Sequence, residues 1–388
     1  MNIDAPPGVL TSPPELHRVK MISPSRFAGF QECALREVWA ANRTPPLLPT
    51  SPAARLGTVA HRLLEEAGRG RLHDGDPDRR WNQLLSTAEQ MASRSWLDRH
   101  LLPLRTAIPD FEVRKLQAVT RARQLASQAA AMPPPEAAST QPAIGYEMPV
   151  ETPNGKAGGK IDAIVAGDTG PVVKDYKSGA IFEPRADNGH QLKEAYAIQL
   201  KLYAAIYSAM TGTWPSSLEI VPLAGAPQLV EFTTEECAQL LENAIRALDA
   251  VNDVISSQQS AAARRERLAG PSPRTCRHCP YRPSCAPYAN AVAHDPEADW
   301  PWDRHGLLLE MRALGNGRLM LALDTGTATV RIRGVDPTLH RHPALGTVVL
   351  GDAIGAYNLR PAGSPTSFAE GRFTVFYKLG QLMNDERP

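Results

Sequence analysis

The 388-residue sequence has no run of about 18 apolar residues, the length that a membrane-crossing helix needs. A transmembrane protein is therefore not expected. Charge imbalance is also missing: 42 Lys and Arg stand against 41 Asp and Glu, a formal net charge of +1. That excludes an overall basic nucleic-acid binder, so any surface for a polyanion must be a local patch. The proline-rich N-terminus lacks the basic-then-apolar order of a secretory signal, and a cytoplasmic protein is expected. No G-x4-G-K-[S/T] stretch is present, so the chain carries no nucleotide-driven motor of its own. No solenoid-type repeat is found. Cysteine is scarce, with only five, yet three of them crowd into one short segment. In a reducing compartment such crowding favours a metal site over disulfides.

What is there suffices for two domains or three, with 43% hydrophobic residues to fill their cores. Residues 1–20 read as a disordered leader. From Ser23 a helix is expected, with Phe27, Phe30 and Trp39 packing and Cys33 inside it. After a proline-broken loop, RLGTVAHRLLEEAGRG predicts a second helix that carries His61 and ends near Gly68 or Gly70. Residues 70–140 form a helix-rich insertion, closed by a linker of three prolines at 133–135. A β-rich block follows from about residue 144, with a turn at Asn154-Gly155. A long helix is expected over 190–210, strands near 217–223 and 228–233, and a helix capped by Thr233 or Thr234. Beyond Pro301 come short apolar runs punctuated by Gly and Pro. Their even spacing predicts a small antiparallel β-barrel over 301–388, OB-like or SH3-like.

The stretch at 159–179, GKIDAIVAGDTGPVVKDYKSG, reads as two strands joined by a turn. Strand alternation puts Asp175 and Lys177 on one face and Tyr176 on the other. Asp162 sits among apolar residues on the preceding strand, where an unpaired charge would be unfavourable. Two such carboxylates could hold a magnesium or manganese ion, and a lysine beside them could neutralise charge developing on a phosphate. A surface hairpin with solvated charges is the plainer alternative. His61 alone would more often be a helix-surface or buried structural histidine. Gln199 and Tyr203 lie one turn apart on one helix, a spacing that could grip a DNA backbone.

The cysteines Cys276, Cys279 and Cys285 form C-x2-C-x5-C. Zinc and an iron–sulfur cluster both fit, with the fourth ligand coming from afar: Cys33, Cys237 or His278. Cys237, at the start of a helix, is expected to be an unligated thiol. The arginines around this segment, Arg277 and Arg282 among them, suggest a phosphate-contacting rim, with Tyr281 and Tyr288 near enough to stack on bases.

Taken in order, SPSRFAGFQEC, GTVAH, GKIDAIV, VVKDYKSG, QLKLY and C-x2-C-x5-C resemble the RecB-like branch of the PD-(D/E)xK nucleases, in the iron–sulfur form of AddB-type and CRISPR-adaptation nucleases. The resemblance spans about residues 22–290. It implies an α/β restriction-endonuclease-like core, a mixed sheet flanked by helices, over 21–295. It implies that His61, Asp162, Asp175 and the Tyr176 carbonyl hold magnesium or manganese, with Lys177 as the catalytic lysine. It implies that Gln199 and Tyr203 lie by the DNA, and that Cys33, Cys276, Cys279 and Cys285 carry a [4Fe–4S] cluster. Glu147 resembles the acid on an early strand of such domains, without a firm role. The expected activity is a DNA nuclease, an exonuclease more than an endonuclease, acting on single strands or DNA ends. Its setting would be repair, recombination or phage defence, with a helicase or defence-complex partner. The alternative is a non-cleaving iron–sulfur DNA-binding subunit.

Overall fold

The computed structural model describes residues 7–72, 76–131, 145–184 and 189–380. The chain opens with a two-residue strand, β1 (Val9–Leu10), then the short helices α1 (Phe27–Glu32) and α2 (Ala34–Ala41). Cys33 separates them because its backbone is extended, at φ −159° and ψ 92°. Next come α3 (Pro52–Gly68), α4 (Pro77–Ser93), α5 (Leu104–Ala107) and α6 (Phe111–Ala131). Asp76 caps α4 by accepting the Asp78 N–H at 2.9 Å. Strands β2 (Gly145–Glu151), β3 (Gly158–Gly167) and β4 (Gly170–Lys177) form an antiparallel meander. A small ribbon, β5 (Phe182–Pro184) with β6 (His190–Leu192), leads into α7 (Glu194–Thr211). The expected helix over 190–210 is thus shorter: its first residues are the ribbon, and the helix starts after Lys193. Then follow β7 (Ser217–Pro222), β8 (Gln228–Leu229), α8 (Thr234–Ser256), α9 (Ala261–Leu268), α10 (Pro273–Cys276) and α11 (Ala286–His294). Thr233 caps α8, accepting the Glu236 N–H.

The first sheet runs β2-β3-β4-β7-β8, with β4 and β7 parallel across the α7 crossover. Both faces are covered. Val173, Leu218 and Ile220 belong to a core shared with α1, α2, α7 and α8. Ala163, Tyr176 and Val221 belong to the opposite core, shared with α3, α4 and α6. The helices after residue 70 are therefore one wall of the nuclease-like body. Trp81 of α4 is fully buried, edge-on to Phe111 of α6 at 6.3 Å. Burying side chains of this size contributes about 1.5–3 kcal/mol each. The three prolines at 133–135 lie outside the described residues.

The C-terminal strands are β9 (Arg304–Ala313), β10 (Leu319–Asp324), β11 (Thr329–Val335), β12 (Ala353–Tyr357), β13 (Arg360–Ser364), β14 (Ser367–Ala369) and β15 (Val375–Leu379). The closed barrel expected here is not what they form. They make an eight-stranded sheet in the order β1-β15-β12-β9-β10-β11-β14-β13, with β1 and β13 at its edges. One strand comes from the far end of the chain: β1 pairs parallel with β15, Val9 opposite Lys378 and Leu10 opposite Leu379. Residues 7–20, expected as part of a disordered leader, hold β1 and the buried side chains Leu10 and Val19. Leu10, Tyr357 and Tyr377 share a core with Leu47, Leu48 and Leu97 of the helical region, and the Tyr377 hydroxyl donates to the Leu47 carbonyl at 2.8 Å. No helix among the described residues is long and apolar enough to cross a membrane.

Candidate active site and cysteine cluster

The β3–β4 hairpin brings Asp162, Asp175 and Lys177 together, as strand alternation predicts. Asp175 and Lys177 turn toward α7, while Tyr176 enters the opposite core. Asp162 Oδ2 accepts the Tyr176 N–H at 2.7 Å, which locks the two strands at this point. Register on the other side is decisive: Tyr146 pairs with Ala163 and Met148 with Ile161, so Glu147 stands opposite Asp162. Glu147 is at φ 51°, a left-handed conformation that a residue with a side chain rarely adopts, and about 1–3 kcal/mol of strain accompanies it. Two acids facing each other across strands repel unless a cation lies between them.

Helix α3 supplies the third group. His61 Nε2 is 2.5 Å from the Tyr176 carbonyl oxygen and 3.8 Å from Asp162 Oδ2. Ligand atoms of His61, Glu147 and Asp162 all lie within 4.8 Å of one another. Among the described residues this is the one trio of His, Cys, Asp or Glu so closely gathered. α3 can approach because residue 57 is glycine: a Cβ there would stand 2.6 Å from Ser178 Oγ, in the loop just after Lys177.

The electrostatics fit a divalent ion. Burial pushes the Asp162 carboxyl up to about 7, with the His61 ring opposing the shift and the Asp175 carboxylate adding to it. Asp175 is 4% exposed. Its Oδ1 accepts from Gln199 Nε2 at 2.8 Å. Its Oδ2 is 2.7 Å from Lys177 Nζ, so the two form a largely buried ion pair. The trio of one imidazole and two carboxylates suits a hard cation such as magnesium or manganese, with Asp175 on the neighbouring strand.

Gln199 has a different place from the one expected. It is 7% exposed and clamps both catalytic candidates, donating to Asp175 and accepting from Lys177 Nζ at 3.1 Å. Tyr203, 4% exposed, stands behind it against Gly159, where a Cβ would be 3.2 Å from the Tyr203 hydroxyl. Both side chains are buried rather than presented to solvent, unlike the open helix face that their expected DNA contacts called for. Lys177 Nζ also lies 4.6 Å from the centre of the Tyr196 ring. Glu147 is the residue whose part the sequence left open. Its signal was its distance from Asp162 across the Asn154-Gly155 turn, readable once the register is known.

Two clefts flank this centre. One, of about 680 Å³, is bordered by His61, Glu147, Lys160, Arg62, Arg71 and Arg80. The other, of about 660 Å³, is bordered by Lys177, Ser178, Gly179, Arg114 and His190.

The second cluster is formed by cysteines. Cys33, Cys276, Cys279 and Cys285 line one small cavity with Arg36, Trp39 and Tyr288. None is in a disulfide. Burial raises the Cys276 and Cys285 thiols and pushes Cys279 up to about 12, partly offset by the Arg36 guanidinium at Cys276 and Cys279. Cys237 is buried elsewhere, in α8, with its thiol pushed up to about 11.

Arg282, expected at a DNA rim, is 1% exposed. It donates to the carbonyls of Cys276 and Cys279 at 2.9 and 3.3 Å and pairs with Asp303 at 2.7 Å. It therefore ties the cysteine loop to the C-terminal sheet and cannot touch a strand. Tyr281 and Tyr288 are buried too, at 5% and 1%, so the expected base stacking on them is ruled out. Arg277 is half exposed and pairs with Asp299.

The family model of the PD-(D/E)XK nuclease superfamily matches residues 21–286. No curated protein matches the chain.

Proposed function

Because the chain belongs to the PD-(D/E)XK nuclease superfamily, we propose that it is a metal-dependent deoxyribonuclease of the RecB-like branch that carries a [4Fe–4S] cluster. The observation that carries the first part is the gathering of His61, Glu147 and Asp162, with the Tyr176 carbonyl against His61 and the Asp175–Lys177 pair on the neighbouring strand. His61, Asp162, Asp175 and the Tyr176 carbonyl would hold magnesium or manganese, with Glu147 completing the set. When bound, the ion supplies Lewis acidity at the scissile phosphate and acidifies attacking water. The chain's own groups do the rest. Lys177 places its ammonium beside Asp175, where negative charge develops on the phosphate. Gln199 holds the rotamers of both. The clefts on either side give a strand a way in and a way out, which supports an exonuclease on single strands or DNA ends.

The cysteine quartet supports the cluster by its composition: Cys33, Cys276, Cys279 and Cys285 line one small cavity, and four thiolates are the usual ligand set of such a cluster. The three buried thiols with raised pKa, those of Cys276, Cys279 and Cys285, also need a strongly cationic core to deprotonate them. The lack of disulfides accords with the cytoplasm. Lacking a motor motif, the enzyme would receive unwound ends from a helicase or defence-complex partner.

The test uses anaerobically purified protein with end-labelled single- and double-stranded DNA, with manganese or with EDTA. Products that appear with manganese only, and vanish in Asp175→Ala, are expected. Equal cutting by wild type and Asp175→Ala would sink the assignment. Visible thiolate-to-iron absorbance is expected, and a colourless, zinc-loaded protein would remove the cluster from the reading.

A further inference from the structure

The segment at 296–304 joins the cysteine region to β9 and borders two clefts. One is a groove of about 770 Å³, the other a cleft of about 780 Å³, and Asp299, Trp300, Pro301 and Trp302 border both. Of the six tryptophans, Trp302 is the exposed one, at 44%. Tryptophan is highly buried on average, and this one leaves much of its ring surface free. This one is also held in place. Its carbonyl accepts the Leu359 N–H at 2.9 Å. Its ring leans on Phe368 at 6.0 Å, and the Arg304 guanidinium lies 5.7 Å from it and 4.5 Å from the Phe368 ring.

The groove is cationic as well as aromatic. Arg277, Arg360 and Arg372 border it with exposed side chains, and the acid Asp299 is already paired with Arg277. Arg372 is anchored through the Ala107 carbonyl at 2.6 Å. A flat ring in one cleft with three guanidinium groups matches a base stacked beside its phosphates. Leu48, Pro49 and Ser51 also border it, at the start of α3, and His61 lies ten residues along that helix from Ser51, about 15 Å away.

We propose that this groove is a second, non-catalytic site for single-stranded DNA, in which Trp302 stacks on a base and Arg277, Arg360 and Arg372 hold phosphates. For the identity of its ligand it rests on the nuclease reading of the carboxylate centre. A duplex hides its base faces, so the site discriminates in favour of single strands.

Binding of a fluorescein-labelled 20-nucleotide oligothymidylate to the full-length protein, followed by anisotropy in EDTA, tests it apart from cleavage. Trp302→Ala should weaken binding about tenfold, and Trp302→Phe, which keeps a ring, should weaken it less. Arg360→Ala should weaken it and lower the slope of log affinity against log salt by about 1. Circular dichroism and iron content equal to wild type confirm that each variant is folded, and Arg360→Ala stands in if Trp302→Ala is not. Wild-type affinity in both Trp302→Ala and Arg360→Ala overturns the proposal. So does a 20-base-pair duplex that binds as tightly as the strand. Cleavage with manganese is scored separately. Trp302-dependent binding without cleavage overturns the nuclease reading alone, and cleavage with Trp302-independent binding overturns the groove alone.

Discussion

The carboxylate centre and the cysteine cluster are both gathered from residues far apart in sequence, but they differ in their access to water. At the first, His61 keeps about a third of its side chain exposed and two clefts open beside it. At the second, Cys276, Cys279 and Cys285 are each less than 9% exposed, and Arg36, Trp39 and Arg282 close over them. An open centre admits a strand and exchanges its ion. A sealed centre can only hold the chain together. Arg282 makes the second role concrete, since one guanidinium joins two cysteine carbonyls to Asp303 at the edge of the C-terminal sheet.

Four predictions break or sharpen that contrast. The largest effect is expected at the open centre: Asp175→Ala should lower the cleavage rate by about a thousandfold or more. Iron content and melting temperature should stay near wild type, and a collapse of either would show the two centres to be one structural unit. Next, Cys276→Ser should do the reverse. It should lose iron and melt at least about 10 °C lower, because several kcal/mol of cross-linking between α1, α2 and the C-terminal loop is gone. An unchanged melt with iron retained would remove Cys276 from the ligand set. Third, Gln199→Ala should lower the rate about 10- to 100-fold while leaving strand affinity in EDTA unaltered, since it holds Asp175 and Lys177 and touches no DNA. A drop in affinity without a drop in rate would restore it as a DNA contact.

The smallest effect is in pH. Asp162 has an ordinary value of 3.8 and is pushed up to about 7 in the folded chain, chiefly by burial. The metal-free fold therefore binds a proton that the unfolded chain has lost, so its stability falls as pH rises from about 4 toward 7 and levels off above. Manganese must displace that proton. Its affinity should rise about fivefold between pH 6 and 7, by a further factor of about 2 to pH 8, and flatten beyond. Calorimetric titration across pH 5.5–8 checks this, and the slope should vanish in Asp162→Asn. A flat profile in the wild type would mean that Asp162 is ionised throughout.

Much of the site was legible because its motifs are local. Asp175 and Lys177 share a strand face by alternation, and C-x2-C-x5-C is a short-range pattern. The facing of Glu147 and Asp162 was not, because it depends on a register that only the pairing of β2 with β3 sets. The burial of Gln199, Tyr203, Tyr281, Tyr288 and Arg282 was not either. Whether a polar side chain on a helix or loop meets solvent depends on what packs over it, and here that is α7 against the sheet and the C-terminal strands against the cysteine loop. The barrel expectation failed for a related reason. Strand spacing reports strands, but closure depends on which edges meet, and β1 from the opposite end of the chain occupies the edge beside β15.

The sequence by itself determined which groups are available: a hairpin with two acids and a lysine, a histidine on a helix, four cysteines and a tryptophan near residue 300. Chemistry of that kind is written in residue types and short spacings, which survive any fold. Only the tertiary structure decided which groups face an ion, which face each other and which face water. Those are relations between elements distant along the chain, and the packing of α3, α7 and the two sheets sets them.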